Sequence, residues 1–252
     1  TELDGADRPH AEAEGEDATE GFVGRKPELQ RLRAVLESAR NGQGRLVHVL
    51  GPAGIGKTSL VEQLPRLAGP EHTILTALCF EDEGVPAFWV WVQLARQLLE
   101  ALDLDTVRRL AGHEVAVLIR LVPELGGGLT HSAGAKEHEA SERGPARFAL
   151  LNAISSLFVA AARHTPLTLV LEDVHWADEA SVAVLALLSR TIARSKLVVV
   201  ATSRDETGGR SLRATKAAQS GVVQLSLPRL SDDEARELLV RQAGPRRPVR
   251  AE

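Results

Sequence analysis

The 252-residue chain carries a net charge of -4, is 44% hydrophobic and only 3% aromatic, and holds a single cysteine, Cys79. This length admits one large domain, or one domain with a small appendage, whose core is mostly Leu, Val and Ala because the chain has three Trp, five Phe and no Tyr. One cysteine excludes an internal disulfide and fits a reducing, cytoplasmic compartment, the near-balanced charge argues against a nucleic-acid surface, and no apolar run approaches the roughly 20 residues of a membrane span.

Residues 1–20 hold eight Asp or Glu and one Arg, with almost nothing apolar to bury, and read as a disordered acidic arm or linker. No signal peptide opens the chain, and with neither a starting Met nor any other Met it is expected to be a piece cut from a longer protein. Order is expected from "FVGR", Phe22 to Arg25. "KPELQRLRAVLESA" follows as a helix, with Pro27 in its first turn and Leu29, Leu32 and Leu36 on one stripe. "NGQG" breaks the chain before "RLVHVL", Arg45 to Leu50, a strand. "KTSLVEQLPRLA" has helix spacing, aligning Leu60, Leu64 and Leu67, with Pro65 near its end. "HTILTALCF" is a second strand. "AFWVWVQLARQLLEAL" reads as a helix, although "FWVWV" alone fits a strand. Residues 106–122 read as one further helix.

Residues 123–144 show Gly, His and charge without period and are expected to form a mobile loop. Helix character returns at "PARFALLNAISSLFVAAARH". "LTLVL", Leu167 to Leu171, is nearly all apolar, as a strand covered on both faces should be. "DEASVAVLALLSRTIA" is a helix, "KLVVVATSR" another buried strand and "VVQLSL" a last short one. In "LSDDEARELLVRQ", Ser231 and Glu234 have the spacing of a capping box. Alternating helices and apolar strands predict an α/β fold with a parallel sheet covered by helices on both faces.

Gly51, Gly56, Lys57 and Thr58 satisfy G-x-x-x-x-G-K-T between a strand and a helix. Glycines let a backbone curl so that several N–H groups face phosphate oxygens, and the helix start adds its own N–H groups. The expected phosphate cradle comprises Gly51, Pro52, Ala53, Gly54, Ile55, Gly56, Lys57, Thr58 and Ser59. Lys57 reaches the β- and γ-phosphates, and the Thr58 hydroxyl sits on Mg²⁺. A carboxylate is needed beside that metal, and "LVLEDVHWAD" supplies one where a buried strand ends. Glu172 is the metal candidate. Asp173 is the group that orients or deprotonates the attacking water. The two roles are exchangeable at this stage, because adjacent side chains point differently. Asp178 is placed to cap the following helix, and His175 and Trp176 to pack the turn. Arg204, at the tip of "VVVATSRD", has the donor fork to read a γ-phosphate, or else forms a surface ion pair.

Together "GPAGIGKT", "LVLEDVHWAD", "VVVATSRD" and "FVGR" resemble the ATPase domain of the signal-transduction NTPases (STAND) within the AAA+ branch. The resemblance is strongest to the ATP-binding module of large LuxR-type transcriptional regulators and covers residues 21–243. It implies a P-loop NTPase core of five parallel strands at 21–228 with the P-loop strand in the middle, and the start of a helical lid at 229–252. It also implies ATP or ADP with Mg²⁺ as cofactors. Val23, Gly24 and Arg25 match the box at the adenine end of the pocket. Lys57 and Thr58 match the phosphate and metal residues. Glu172 stands where relatives commonly carry Asp, Asp173 matches the acid that follows, and Arg204 matches the sensor arginine. The implied function is an ATP-binding, slowly hydrolysing switch of a bacterial transcriptional regulator. Alternatives are a nucleotide-binding scaffold without useful turnover, or the same module serving a kinase or cyclase output. The implied partners are C-terminal domains of the same full-length protein and further copies in nucleotide-dependent self-association. Neither direct nucleic-acid contact nor a membrane is expected for these residues.

Overall fold

The computed structural model describes residues 22–81, 84–127, 144–204 and 222–243. They fall into two compact units, one within 26–229 and the other comprising 22–25 with 230–243. The expected acidic arm lies outside the described residues, as do residues 128–143 of the expected loop.

The larger unit is built on five strands: β1 (Arg45–Leu50), β2 (Thr73–Leu78), β3 (Leu167–Glu172), β4 (Leu197–Ser203) and β5 (Val222–Ser226). All pair in parallel, in the order β2-β3-β4-β1-β5. This is the five-stranded parallel sheet flanked by helices that the sequence predicts. The expectation that β1 holds the middle is corrected: β4 does, and β1 lies between β4 and β5. The burial patterns explain the order. Every residue of β4 is buried, as befits the centre, whereas β5 and β2 each leave residues exposed and form the edges.

Register decides where the strands end. Leu50 stands opposite both Ser203 and Ser226, and Leu78 opposite Glu172. The carboxyl ends of all five strands therefore share one edge of the sheet. Within the sheet, His48 on β1 reaches Ser203 on β4, with Nε2 and Oγ 2.8 Å apart and both residues buried.

The helices of this unit are α1 (Lys26–Arg40), α2 (Lys57–Val61), α3 (Leu64–Ala68), α4 (Trp89–Ala101), α5 (Leu104–Ala111), α6 (Val115–Leu118), α7 (Pro145–His164) and α8 (Glu179–Thr191). The leucine stripe of α1 is buried as its spacing predicts. α4 begins at Trp89, so "FWVWV" is helical from its second residue. Trp91 is fully buried, lies 5.8 Å from the Phe158 ring at 50°, and donates its indole N–H to the Ser181 carbonyl at 3.2 Å. Few aromatics suffice because aliphatic residues fill the rest of the core.

Two expected helices are broken, each at an identifiable residue. Residues 57–68 divide into α2 and α3, with Pro65 in the first turn of α3, where its missing N–H removes no bond. Leu60, Leu64 and Ala68 are buried there, and Leu67 only partly. Residues 106–122 divide at Gly112, whose φ of +55° ends α5 and opens a 3-10 turn at Gly112–Glu114 before α6. The start of the expected loop, Pro123–Gly126, is itself a 3-10 turn that buries Leu125, whose carbonyl accepts from Arg108 Nε at 2.8 Å.

α7 has the length and apolar composition of a membrane span, unlike the expectation that no run comes close. Its Leu150, Ala153, Ile154, Leu157, Phe158, Ala161 and Ala162 are buried in the core beside the sheet.

In the smaller unit, Asp232–Ala243 forms α9. Ser231 and Glu234 close the capping box that their spacing predicts. Glu234 accepts from the Ser231 N–H at 2.8 Å and from its hydroxyl at 2.9 Å, and the Glu234 N–H donates to Ser231 Oγ at 3.3 Å. These bonds, reinforced by the Arg25 charge, hold the Glu234 carboxyl below the usual range. A Cβ on Gly24, which has φ of +72°, would lie 2.7 Å from Glu234 Oε1. Val23, Gly24 and Arg25 therefore group with α9.

The glycine that ends "NGQG" has a steric reason. A Cβ on Gly44 would overlap the backbone carbonyl oxygens of Ile192, Leu197 and Ser195, which cannot swing aside. Gly44→Ala should lower unfolding free energy by about 1–3 kcal/mol, the usual range for overpacking. Urea denaturation followed by far-UV circular dichroism measures it, and an unchanged midpoint would contradict the packing.

Candidate functional site

β1 runs directly into the glycine-rich loop, and α2 leaves it. Gly54 and Gly56 have φ of +73° and +99°, a region that favours glycine. Gly51 serves a different need, because a Cβ there would lie 2.8 Å from the Ile55 side chain. The loop is tied to the sheet by Gly51 N–H, which donates to the Ser203 carbonyl at 3.3 Å, and is closed on itself by Ile55 N–H to the Pro52 carbonyl at 3.4 Å. The first helical bond of α2 is Leu60 N–H to the Gly56 carbonyl, at 3.0 Å. The N–H groups of Lys57, Thr58 and Ser59 thus stand outside the helical ladder.

Lys57 is 8% exposed and lies back along this loop. Its Nζ donates to the Gly51 carbonyl at 3.0 Å and the Pro52 carbonyl at 3.1 Å. An ammonium has three donors, so these bonds fix its place and leave one for an anion.

The next side chain crosses to another strand. Thr58 Oγ1 donates to Glu172 Oε2 at 2.6 Å. A hydroxyl and a carboxylate separated by 114 residues in sequence thereby meet at the end of β3. This pair of hard oxygens fits Mg²⁺, which is usually held by one or two protein carboxylates together with phosphates and waters. Among the described residues no group of three or more His, Cys, Asp or Glu forms a metal cage.

Asp173 follows in an unusual backbone state, with φ of 52° and ψ of 45°. Its N–H donates to Thr202 Oγ1 at 3.0 Å, and its carbonyl accepts from Trp176 N–H at 2.9 Å, closing the 3-10 turn Val174–Trp176. Its backbone N–H and carbonyl are both pinned, while its side chain remains 37% exposed. His175 Nδ1 lies 3.8 Å from Asp173 Oδ1. Burial holds the His175 imidazole below its ordinary range, the Asp173 charge opposes that, and the charges of Arg204 and Lys57 add to it. Lys57, Asp173 and Arg204 thus act on one imidazole, and Arg204 follows directly on the end of β4.

Asp178 caps α8, accepting the Ser181 N–H at 2.9 Å, as its position predicts. His175 and Trp176 also pack as expected, with ring centroids 4.8 Å apart. Burial, with the charges of Asp178 and Asp173, pushes the Cys79 thiol up to about 12, so it is an inert core thiol. The structure thus brings Lys57, Thr58, Glu172, Asp173 and Arg204 to one sheet edge, within one unit. Val23, Gly24 and Arg25 belong to the other unit. Sequence reasoning missed the pin from Thr202. Its one signal is the pair of hydroxyl residues, Thr202 and Ser203, that ends an otherwise apolar strand.

Residues 21–200 match the family described as AAA ATPase domain. An uncharacterized protein of Rhizobium meliloti (strain 1021) is 26% identical over 227 residues, covering 85% of this chain and 21% of that protein. Cdc6p from Pyrobaculum aerophilum superposes with a TM-score of 0.51 at 15% identity, across 90% of this chain and 52% of that one, a likeness of fold alone. A signal-transduction ATPase with numerous domains from Pyrococcus horikoshii, carrying a tetratricopeptide repeat sensor, gives a TM-score of 0.49 and 22% identity over 88% of this chain and 25% of that one. The chain therefore spans 21% of the length of its curated relative.

The Asp178 cap supports the turn that carries the acidic pair. Asp178→Ala should cost about 1 kcal/mol, the usual worth of an N-cap, and Asp178→Ser should recover most of it. Chemical denaturation of both variants tests this. Equal losses would remove the cap as the cause.

Proposed function

The chain belongs to the AAA ATPase domain family, and from that premise we propose that it is an ATP-binding, slowly hydrolysing switch module of a bacterial transcriptional regulator. The observation that carries the ATPase part is the 2.6 Å bond from Thr58 to Glu172, which joins the helix after the glycine loop to the end of a buried strand. The regulator assignment rests on the "EDVHWAD" resemblance. The far greater length of the curated relative fits a module inside a multidomain protein.

In this reading the loop from Gly51 to Ser59 holds the phosphates, and Lys57 places its charge against the β- and γ-phosphates. Thr58 and Glu172 hold Mg²⁺, which when bound neutralises phosphate charge. Asp173, exposed and pinned at both ends, orients the attacking water and takes its proton. Arg204 reads the γ-phosphate, so its contact exists with ATP and is lost with ADP, as a switch requires. The family resemblance, by itself, assigns Val23, Gly24 and Arg25 to the adenine end. The module works in the cytoplasm with C-terminal domains of the same protein and associates with further copies when nucleotide is bound.

Lys57→Ala should weaken MgATP binding at least tenfold, a loss of about 1.4 kcal/mol, without unfolding the chain. Titration calorimetry checks the affinity, and circular dichroism the fold. Unchanged affinity would remove Lys57 from this role.

The two acids are separated by when each charge is needed. A metal ligand acts in the bound state and the transition state, whereas a water-orienting base matters once attack begins. Glu172→Gln should weaken Mg²⁺-dependent binding. Asp173→Asn should spare binding and slow single-turnover hydrolysis by roughly 100-fold or more. The opposite pattern would exchange the two roles. Tight binding with no turnover in the unmodified chain would identify the module as a scaffold.

A further inference from the structure

His175 sits two residues beyond Asp173, in the 3-10 turn that Asp173 opens. Its side chain is 1% exposed. Both ring nitrogens are buried, and neither has a hydrogen-bond partner among the described residues. Buried polar atoms are nearly always paired, because an unmade bond forfeits the hydration the group had in water. An imidazole whose only task was to pack on Trp176 would be replaced by Phe or Leu without that cost. Asp173 Oδ1 lies 3.8 Å from Nδ1, a few tenths of an ångström beyond bonding range.

The backbone of Asp173 cannot supply the movement, since Thr202 holds its N–H and Trp176 its carbonyl. Its left-handed conformation is itself uncommon for a residue with a side chain, and such conformations persist where surrounding bonds over-determine them. What remains free is the rotation of a side chain that is 37% exposed. The imidazole also packs on the Trp176 ring, with centroids 4.8 Å apart and a tilt of 40°. The imidazole is the fixed partner and the carboxylate the mobile one.

We propose that His175 is a positioning residue for Asp173: its Nδ1–H donates to one carboxylate oxygen and so turns the other toward the attacking water. The role rests on the ATPase reading, in which Asp173 handles that water. His175 itself touches neither water nor phosphate. Its effect is confined to orientation, and misplacement by about 1 Å at a reacting group costs roughly 100-fold in rate.

Three substitutions separate this role from packing. Phe keeps the ring and its volume but donates nothing. Asn places an amide N–H near the position of Nδ1, and Gln places one near Nε2. His175→Phe should bind MgATP within about twofold of the unmodified chain while its single-turnover hydrolysis falls roughly 10- to 100-fold. His175→Asn should recover most of that rate, and His175→Gln should not. Added to Asp173→Asn, His175→Phe should cost nothing further, because the two residues act as a unit. An unaffected rate in His175→Phe, equal rates in the Asn and Gln variants, or additive losses would each overturn the proposal.

A readout independent of turnover is the ¹⁵N shift of the His175 ring. Nδ1 should carry the proton in the unmodified chain, and that preference should vanish in Asp173→Ala. An Nε2–H tautomer, or one indifferent to Asp173, would overturn the proposal even where every variant folds and hydrolyses. Absence of turnover in the unmodified chain, with the Nδ1–H tautomer intact, would overturn the ATPase reading while leaving the contact established.

Discussion

Parallel pairing in one register is the constraint on which the site depends. Because β1, β3 and β4 run the same way and Leu50 stands level with Ser203, the loops that leave these strands emerge together. The glycine loop after β1, the acidic pair at the end of β3 and Arg204 after β4 are remote in sequence and share one edge of the sheet. A parallel sheet is also buried on both faces, which accounts for the near-continuous apolar runs of β3 and β4. The same burial that stabilises the strands confines polar side chains to their ends, so chemistry and stability are separated along each strand.

At that edge, costly groups stand where the surroundings hold them. Asp173 has a left-handed backbone, Lys57 is a nearly buried charge, and His175 is a buried imidazole without a bonded partner among the described residues. Each is restrained by elements whose own placement is secure. Thr202, at 1% exposure on the central strand, pins Asp173, and the loop carbonyls hold Lys57. Conformations of this kind are maintained by a rigid frame. The frame here is aliphatic, with Trp91 and Phe158 as its large members and Asp178 and Ser181 fixing the start of α8 beside them.

The smaller unit uses a different device. Its short helix depends on terminal hydrogen bonds rather than burial, since α9 exposes Leu239 and Val240. The Glu234 carboxylate closes the cap with Ser231, and Arg25 adds its charge to the same group. Gly24, beside that carboxylate, has a φ of +72°, a backbone state that favours glycine.

Periodicity alone was enough for the strands and for the long helices α1, α7 and α8, because the burial of one face or of a whole strand leaves its period in the composition. The shape of the glycine loop was equally legible: Gly54 and Gly56 occupy backbone states that glycine adopts at little cost, and Lys57 and Thr58 follow at fixed spacing. Breaks at Gly112 and before Pro65 were visible as residues but not as breaks, since apolar spacing continues across both. Strand order lay beyond local pattern, because β1 and β4 are both apolar and only packing of their neighbours decides which takes the centre. The pairing of Thr58 with Glu172, the pin from Thr202 to Asp173 and the enclosure of His175 also required the folded chain. A sequence names the groups that can bond, but contacts between distant strands depend on register, and register is set only when the whole sheet forms.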